Sequence, residues 1–214
     1  KKMIGEIIGL GGKFFFIMLM MFCITQVINI ILMRVQGAEA VTEYGIAIRY
    51  FGVVSMAFGI ITTPYWSAFA DALAEKDYKW MNCAMGRLEK LLLLLVPLYV
   101  LLVLVFPIVI KIWIGDVVEF SISEVIAVAI YSLMMCAGNL YMNLLNGTSK
   151  VMLQLVIYAC FAVVSIPVMN YLCGIWRIVG IVVLPTVVYL MQSIFGRIQL
   201  KKIISHTASG IWDK

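Results

Sequence analysis

The chain has 214 residues, of which 64% are hydrophobic and 13% are charged, and its net charge is +5. Soluble globular domains carry about 25% charged residues, so this composition excludes that class and indicates an integral membrane protein. The excess of lysine and arginine is explained by basic loops at a membrane surface, and we expect no nucleic-acid partner.

Six long windows of the sequence contain no Asp, Glu, Lys or Arg, and they are 19 to 26 residues long. A spanning helix needs about 20 apolar residues, because backbone polar groups in hydrocarbon must be satisfied within the segment. The sequence therefore predicts an all-α polytopic membrane protein with six transmembrane helices. The windows are Phe14–Met33, Tyr50–Ala70, Leu91–Ile110, Val125–Ser149, Val151–Trp176 and Ile178–Gly196.

These windows divide the chain into a short lead-in over residues 1–13, a six-helix bundle over 14–200 and a polar tail over 201–214. With six spans, twelve of the 16 lysines and arginines fall on the side that holds both chain ends. Basic loops stay on the cytoplasmic side of a membrane. The lead-in and the tail are thus both expected to be cytoplasmic.

Arg49 stands at the entrance of the second window, where a charged group costs free energy and suggests a binding site. We expect residues 34–43 to form an external loop in which Thr42 caps the next helix. Arg49 is then seven residues from the cap, about 10 Å along the helix, so its side chain could also snorkel to the headgroups. No acidic residue lies between Arg49 and Asp71. Anion binding and snorkelling both stay open.

Two groups of polar side chains lie at helical spacing inside the windows. The first group lies on one helix face and consists of Thr25, Gln26 and Asn29. The second group is a stripe of three asparagines at i, i+4 and i+7, namely Asn139, Asn143 and Asn146. Each group is either glue between helices or the lining of a hydrated cavity. With Arg49, the amide side chains of both groups are the candidate substrate-binding residues: Gln26, Asn29, Asn139, Asn143 and Asn146.

Local signals predict the ends of two helices. Pro64 removes a backbone hydrogen bond and should kink the second helix near its cytoplasmic end. Ser121 and Glu124 match a capping box, in which the two side chains satisfy free backbone N–H groups at the start of the fourth helix.

The sequence lacks the residues and motifs that usually carry an enzymatic reaction. His206 is the only histidine and lies in the polar tail, so the usual base and metal ligand are absent from the apolar core. The sequence contains no phosphate-binding loop and no metalloprotease motif. The five cysteines have neither metal-ligand nor redox spacing. We therefore expect no enzyme activity, no cofactor and no metal.

Four segments resemble the C-terminal half of the Wzx-type polysaccharide flippases, which belong to the multidrug/oligosaccharidyl-lipid/polysaccharide exporter superfamily. The resemblance covers nearly the whole chain in order, and its most specific part is Pro64-Tyr65-Trp66-Ser67 with Asp71. The segments are AVTEYGIAIRYF at 40–51, TPYWSAFADALAEKDYKWM at 63–81, IKIWIG at 110–115 and NLLNGTSKVMLQ at 143–154.

This resemblance implies that the six helices form one bundle of a two-bundle, MATE-like transporter of the bacterial inner membrane. Such a transporter moves lipid-linked oligosaccharide, as in O-antigen and other polysaccharide biosynthesis. The implied partners are membrane lipid, a polyprenyl-pyrophosphate-linked glycan and an N-terminal bundle missing from this sequence. Arg49 is the position that could hold the pyrophosphate of the lipid carrier.

Two other classes of function remain open. A drug or cation antiporter of the same superfamily would be expected to carry an ionisable carboxylate inside a span, and the apolar windows contain none. A membrane scaffold without transport activity predicts no water-filled cavity.

Overall fold

A computed structural model describes residues 2–115 and 118–213, and the side chains of residues 11–115 and 118–213. Within these ranges the chain forms helices and no strand. The elements are α1 (Lys2–Gln36), α2 (Ala38–Thr62), α3 (Tyr65–Ala74), α4 (Tyr78–Trp113), α5 (Ile122–Thr148), α6 (Met152–Ile204) and a short 3₁₀ helix, η1 (Gly210–Asp213). Residues 2–13 of the predicted lead-in are therefore helical and continuous with the first span.

Five helical stretches of the described chain are long and apolar enough to cross a membrane. This confirms the predicted all-α class, and it is consistent with a multi-pass membrane protein. The stretches are Gly11–Gln36, Ala38–Ala74, Tyr78–Trp113, Ile122–Thr148 and Met152–Ile204.

The connection between α1 and α2 is much shorter than the predicted external loop. Only Gly37 separates the two helices, and its φ of 90° is a conformation that glycine adopts without steric cost. The predicted cap at Thr42 is wrong, because Thr42 lies one turn inside α2 and its hydroxyl donates to the carbonyl oxygen of Ala38 at 3.0 Å. Arg49 is consequently 11 residues from the start of α2 at Ala38, or about 17 Å along the helix.

Pro64 interrupts the second span as predicted. Helix α2 ends at Thr62 and α3 begins at Tyr65, because proline has no N–H with which to continue the helix. The short α3 then packs closely on α5, where a side chain at Gly147 would clash with the backbone of Trp66. This contact requires glycine at position 147.

Helix α6 contains 53 residues and would be about 80 Å long if it were straight, more than twice the ~30 Å hydrocarbon core. It is not straight, because Trp176 and Arg177 have non-helical backbone angles. We call residues 152–175 the first arm of α6 and residues 178–204 the second arm.

Contacts across this break show that the two arms run antiparallel. The side-chain amide of Gln199 donates to the carbonyl oxygen of Lys150 at 3.0 Å, and the hydroxyl of Tyr158 donates to Gln192. Nearer the break, Gly180 lies so close to Leu172 that a Cβ would clash with the Leu172 carbonyl oxygen. In each pair the two residues lie at similar separations before and after Trp176, so the chain reverses direction there.

Helix α5 lies at the centre of the assembly. In its most apolar window 56% of the residues are buried, against 22–28% in the other four stretches. A hydrogen-bonded cluster ties it to α2 and α4: the Ser132 Oγ lies 2.8 Å from the Tyr99 hydroxyl and 2.9 Å from the Ser55 Oγ. Hydroxyl groups paired in this way hold membrane helices together without leaving a polar group exposed to lipid.

The close approach at Gly180 predicts the effect of a methyl group there. Gly180→Ala should lower the free energy of unfolding by about 1–3 kcal/mol, because the new Cβ meets the backbone of the first arm. Gly174→Ala is the matched control, since nothing lies within 4 Å of a Cβ at that position. Denaturant unfolding of both purified variants in detergent measures the difference. Equal stability of the two variants would contradict the antiparallel packing of the arms.

Candidate functional site

A groove of about 610 Å³ lies between α1 and α2. The single-residue connection at Gly37 sets the two helices side by side. Gln26 and Arg49 stand 11 and 12 residues from Gly37, so they lie at similar heights on the two helices. The groove brings together three of the sequence-predicted site residues, namely Gln26, Asn29 and Arg49, and it is also lined by Thr25, Val41, Thr42, Tyr44, Gly45, Ile46 and Ile48.

The polar side chains of this groove point away from the rest of the bundle. Gln26, Asn29 and Arg49 are exposed, whereas Thr25 is half-buried and its hydroxyl bonds to the carbonyl oxygens of Met21 and Phe22 in its own helix. Next to Asn29, Ile30 is 65% exposed. Helix α1 thus presents one polar face and one apolar face to its surroundings.

Arg49 has no acidic partner within the part of the chain whose side chains are described. The acid closest in sequence on α2, Glu43, lies six residues away and bonds to Arg177. The guanidinium of Arg49 therefore keeps its donors available for an anion that enters the groove.

The three asparagines of the other predicted stripe do not line this groove. They lie in the last ten residues of α5, towards the end of the bundle opposite to Gly37. Asn146 is buried, and Asn139 and Asn143 are half-buried. Their substrate-binding role remains a prediction, and their position separates them from Arg49.

An ion cluster at the Gly37 end of the bundle was not found from the sequence. Arg177, in the turn of α6, lies with its Nη2 3.2 Å from Glu43 Oε2 and its Nε 3.7 Å from Glu124 Oε1. Both glutamates are nearly buried, with side chains 6% and 9% exposed, whereas the arginine side chain is 48% exposed. Two carboxylates and one guanidinium thereby join α2, α5 and α6.

The predicted capping box at the start of α5 is wrong, because the Glu124 side chain pairs with Arg177 and neither predicted side chain caps the helix. The Ser121 side chain makes no capping hydrogen bond and instead lies 2.8 Å from the Ser123 hydroxyl. The Glu124 carboxylate faces Arg177 because an ion pair in a partly buried site is stronger than a bond to a helix N–H group that water can reach.

The described residues contain no group of three or more His, Cys, Asp or Glu side chains that could hold a metal ion. The groove is lined by amide, hydroxyl and guanidinium groups, whose donors can recognise an anionic or sugar-like group. The groove offers no nucleophile paired with a base.

The ion cluster predicts a specific pattern of stability. Arg177→Gln should lower the free energy of unfolding by about 1–3 kcal/mol, less than for a fully buried pair because Arg177 is half exposed. Adding Glu43→Gln to that variant should recover part of the loss, since one unpaired carboxylate is removed. Unfolding of the single and double variants in detergent gives the coupling between the two positions.

Arg34→Gln is the control for the loss of a positive charge, because Arg34 is exposed and belongs to no ion pair among the described residues. We expect its stability to stay within about 0.5 kcal/mol of the parent. Additive effects of Arg177→Gln and Glu43→Gln would show that the cluster does not hold the helices together.

Comparisons of the chain with protein-family models, with curated proteins and with solved structures find no match. The helix arrangement and the groove therefore carry the functional argument.

Proposed function

We propose that this chain is one bundle of a two-bundle transporter that moves lipid-linked oligosaccharide from the cytoplasmic to the periplasmic leaflet of the bacterial inner membrane. The observation that carries this proposal is the groove between α1 and α2, in which the unpaired guanidinium of Arg49 faces outward beside Gln26 and Asn29. The sequence resemblance to Wzx-type flippases points to the same function.

The position of these side chains argues for a second bundle. Polar groups inside a membrane face a bundle interior or a water-filled cavity, because hydrocarbon cannot satisfy them. In this chain the polar face of α1 and α2 is turned outward. A second bundle that covers it would enclose a cavity with Arg49 on its wall, and rocking of the two bundles would open that cavity to each side in turn.

The guanidinium suits the head of a polyprenyl-pyrophosphate carrier. Its donors form a planar fork that matches two phosphate oxygens. Gln26 and Asn29 add amide donors and acceptors of the kind that bind sugar hydroxyls.

We further propose six membrane crossings, with each arm of α6 crossing once. The arms contain 24 and 27 residues on either side of the break, and about 20 suffice to span the hydrocarbon. Six crossings place both chain ends on the same side, and the basic residues at that side assign it to the cytoplasm.

Reporter fusions test this topology. Fusions after Gly37, Val118 and Trp176 should report the periplasm, whereas a fusion after Lys79 should report the cytoplasm. The fusion after Trp176 is decisive for the sixth crossing, because a single continuous α6 would not bring the break to the periplasmic surface. A cytoplasmic report at all of the first three positions would contradict the proposed orientation.

A cation antiporter of the same superfamily is the second candidate, and one observation favours it. The sequence windows contained no acid, yet Glu43 and Glu124 lie inside α2 and α5 with nearly buried carboxylates. Their pairing with Arg177 gives them a structural role that is sufficient by itself. If Glu43→Gln abolished cation-coupled drug efflux in the intact transporter without loss of protein, the antiporter would replace the flippase as the proposal.

Arg49 variants test the flippase proposal in the intact transporter. Arg49→Ala should reduce glycan export about 10- to 100-fold, since charge-assisted hydrogen bonds are worth on the order of 1.5–3 kcal/mol. Arg49→Lys should keep part of the activity, because it retains the charge but loses the fork. Export of surface glycan in a flippase-deficient cell is the measurement, with membrane abundance checked by immunoblot.

The matched control is Arg34→Ala, which removes an exposed arginine from the same helical hairpin outside the groove. It should export glycan at the parental rate. If Arg49→Ala does so as well, Arg49 only anchors the helix at the membrane surface and the proposed site is wrong.

A further inference from the structure

A second groove, of about 630 Å³, lies at the opposite end of the bundle from Gly37, between the start of α4 and the end of α6. We call it the basic groove, because three of its residues are lysines. Its lining consists of Tyr78, Lys79, Asn82, Ile198, Lys201, Lys202, Ile204 and Ser205. The groove shares no residue with the α1–α2 groove.

Glu89 attracts Lys201 electrostatically, but it forms no ion pair with any lysine of the basic groove. Glu89 on α4 is already held by Arg197, whose Nε and Nη2 lie 2.7 and 2.8 Å from its two oxygens. Lys202 sits over the ring of Trp212, with its Nζ 4.2 Å from the ring centroid. This contact leaves its charge uncompensated, since an aromatic ring carries no net charge.

Lys79 and Lys201 complete the positive rim. Both are exposed, and neither forms an ion pair among the residues that the structure describes. Asp77 is the acid closest to Lys79 in sequence, and its carboxylate accepts from the backbone N–H of Trp80 at 2.9 Å, as the cap of α4. It lines no part of the groove.

An apolar stripe leads out of the groove along the second arm of α6. It consists of exposed side chains at helical spacing, each between 38% and 46% exposed: Val187, Leu190, Ile194 and Ile198. The stripe extends 11 residues, about 17 Å along the helix, away from the lysines. Ile198 belongs to both the stripe and the groove.

We propose that the basic groove binds the phosphate of an anionic glycerophospholipid and that one acyl chain lies on the apolar stripe. The lysines and Asn82 supply donors to the phosphate oxygens and to the ester carbonyl oxygens of the glycerol backbone. Ile198 lies where the lipid headgroup would end and the acyl chain begin. A soluble phosphate would gain nothing from the stripe. The continuity of charge and apolar surface on one side of the bundle is what assigns a lipid to this site.

Phosphatidylglycerol and phosphatidylcholine provide the direct comparison, because they differ in net charge but share the acyl chains. The full-length protein in detergent is titrated with each lipid, and bound lipid is counted by native mass spectrometry. We expect one molecule of phosphatidylglycerol to bind in clear preference to phosphatidylcholine. Equal binding of the two lipids would overturn the proposal.

The double variant Lys79→Gln/Lys201→Gln tests the location. It should weaken the binding of phosphatidylglycerol about 30-fold, since each lysine near an anionic lipid contributes roughly a fivefold gain. The control Lys76→Gln/Lys90→Gln removes the same charge from two exposed lysines outside the groove and should bind like the parent. Equal weakening in both double variants would show a general charge effect and overturn the site.

Inorganic phosphate separates a lipid site from a simple anion site. At the concentration at which phosphatidylglycerol half-saturates the protein, the same concentration of phosphate should displace none of it, because phosphate cannot use the apolar stripe. Displacement at equal concentration would mean that the groove binds a free anion, and the lipid proposal would be wrong. The assay measures lipid binding without transport, so its result is independent of the flippase proposal.

Discussion

The structure depends on the position of Arg177 between Glu43 and Glu124. Arg177 occupies the turn between the arms of α6 with a φ of 49°, a conformation that costs a residue with a side chain about 1–3 kcal/mol. The cost is offset because the guanidinium reaches two carboxylates that would otherwise lie nearly buried and unpaired. The same contact fastens the hairpin to α2 and to the central α5. A glycine at this turn would relieve the backbone but leave both acids without a cation.

The ion cluster around Arg177 also bears on the charge of the α1–α2 groove. Glu43 is committed to Arg177, so the arginine on the same helix, Arg49, is left without an acid. Because Gly37 alone joins the two helices, the amides of α1 lie beside that arginine on the outer face. The pairing of one arginine thus leaves the other available for a ligand. Under the proposed function, this free guanidinium would bind the pyrophosphate of the lipid carrier.

Much of this architecture follows from the sequence, because hydropathy and proline act locally. Each charge-free window overlaps one of the five helical stretches that are long and apolar enough to span a membrane. The boundary between the last two windows falls at Arg177, where the chain reverses. The kink at Pro64 follows from the missing N–H of proline. The proximity of Gln26, Asn29 and Arg49 could be expected from two adjacent antiparallel helices, but the sequence left open whether they would meet.

The ion cluster could not be predicted in this way. Glu43 and Glu124 lie outside the apolar windows, and local rules assign them to a loop and a capping box. Their partner is more than 50 residues away in sequence, and only the packing of α6 on α2 and α5 brings it near. Thr42 was misplaced as a cap because a single glycine, rather than a polar loop, joins α1 to α2.

The central claim is that the polar face of α1 borders water in the intact transporter, although it points away from this bundle. Single cysteines at Asn29 and Ile30, introduced into a chain without its five native cysteines, compare two adjacent exposed positions on different faces. The measurement is labelling by a membrane-impermeant maleimide in sealed membrane vesicles of each orientation. Asn29→Cys should be labelled and Ile30→Cys should remain unlabelled. Equal inertness of both cysteines in both orientations would show that the groove faces lipid or protein, and would contradict a transport cavity at Arg49.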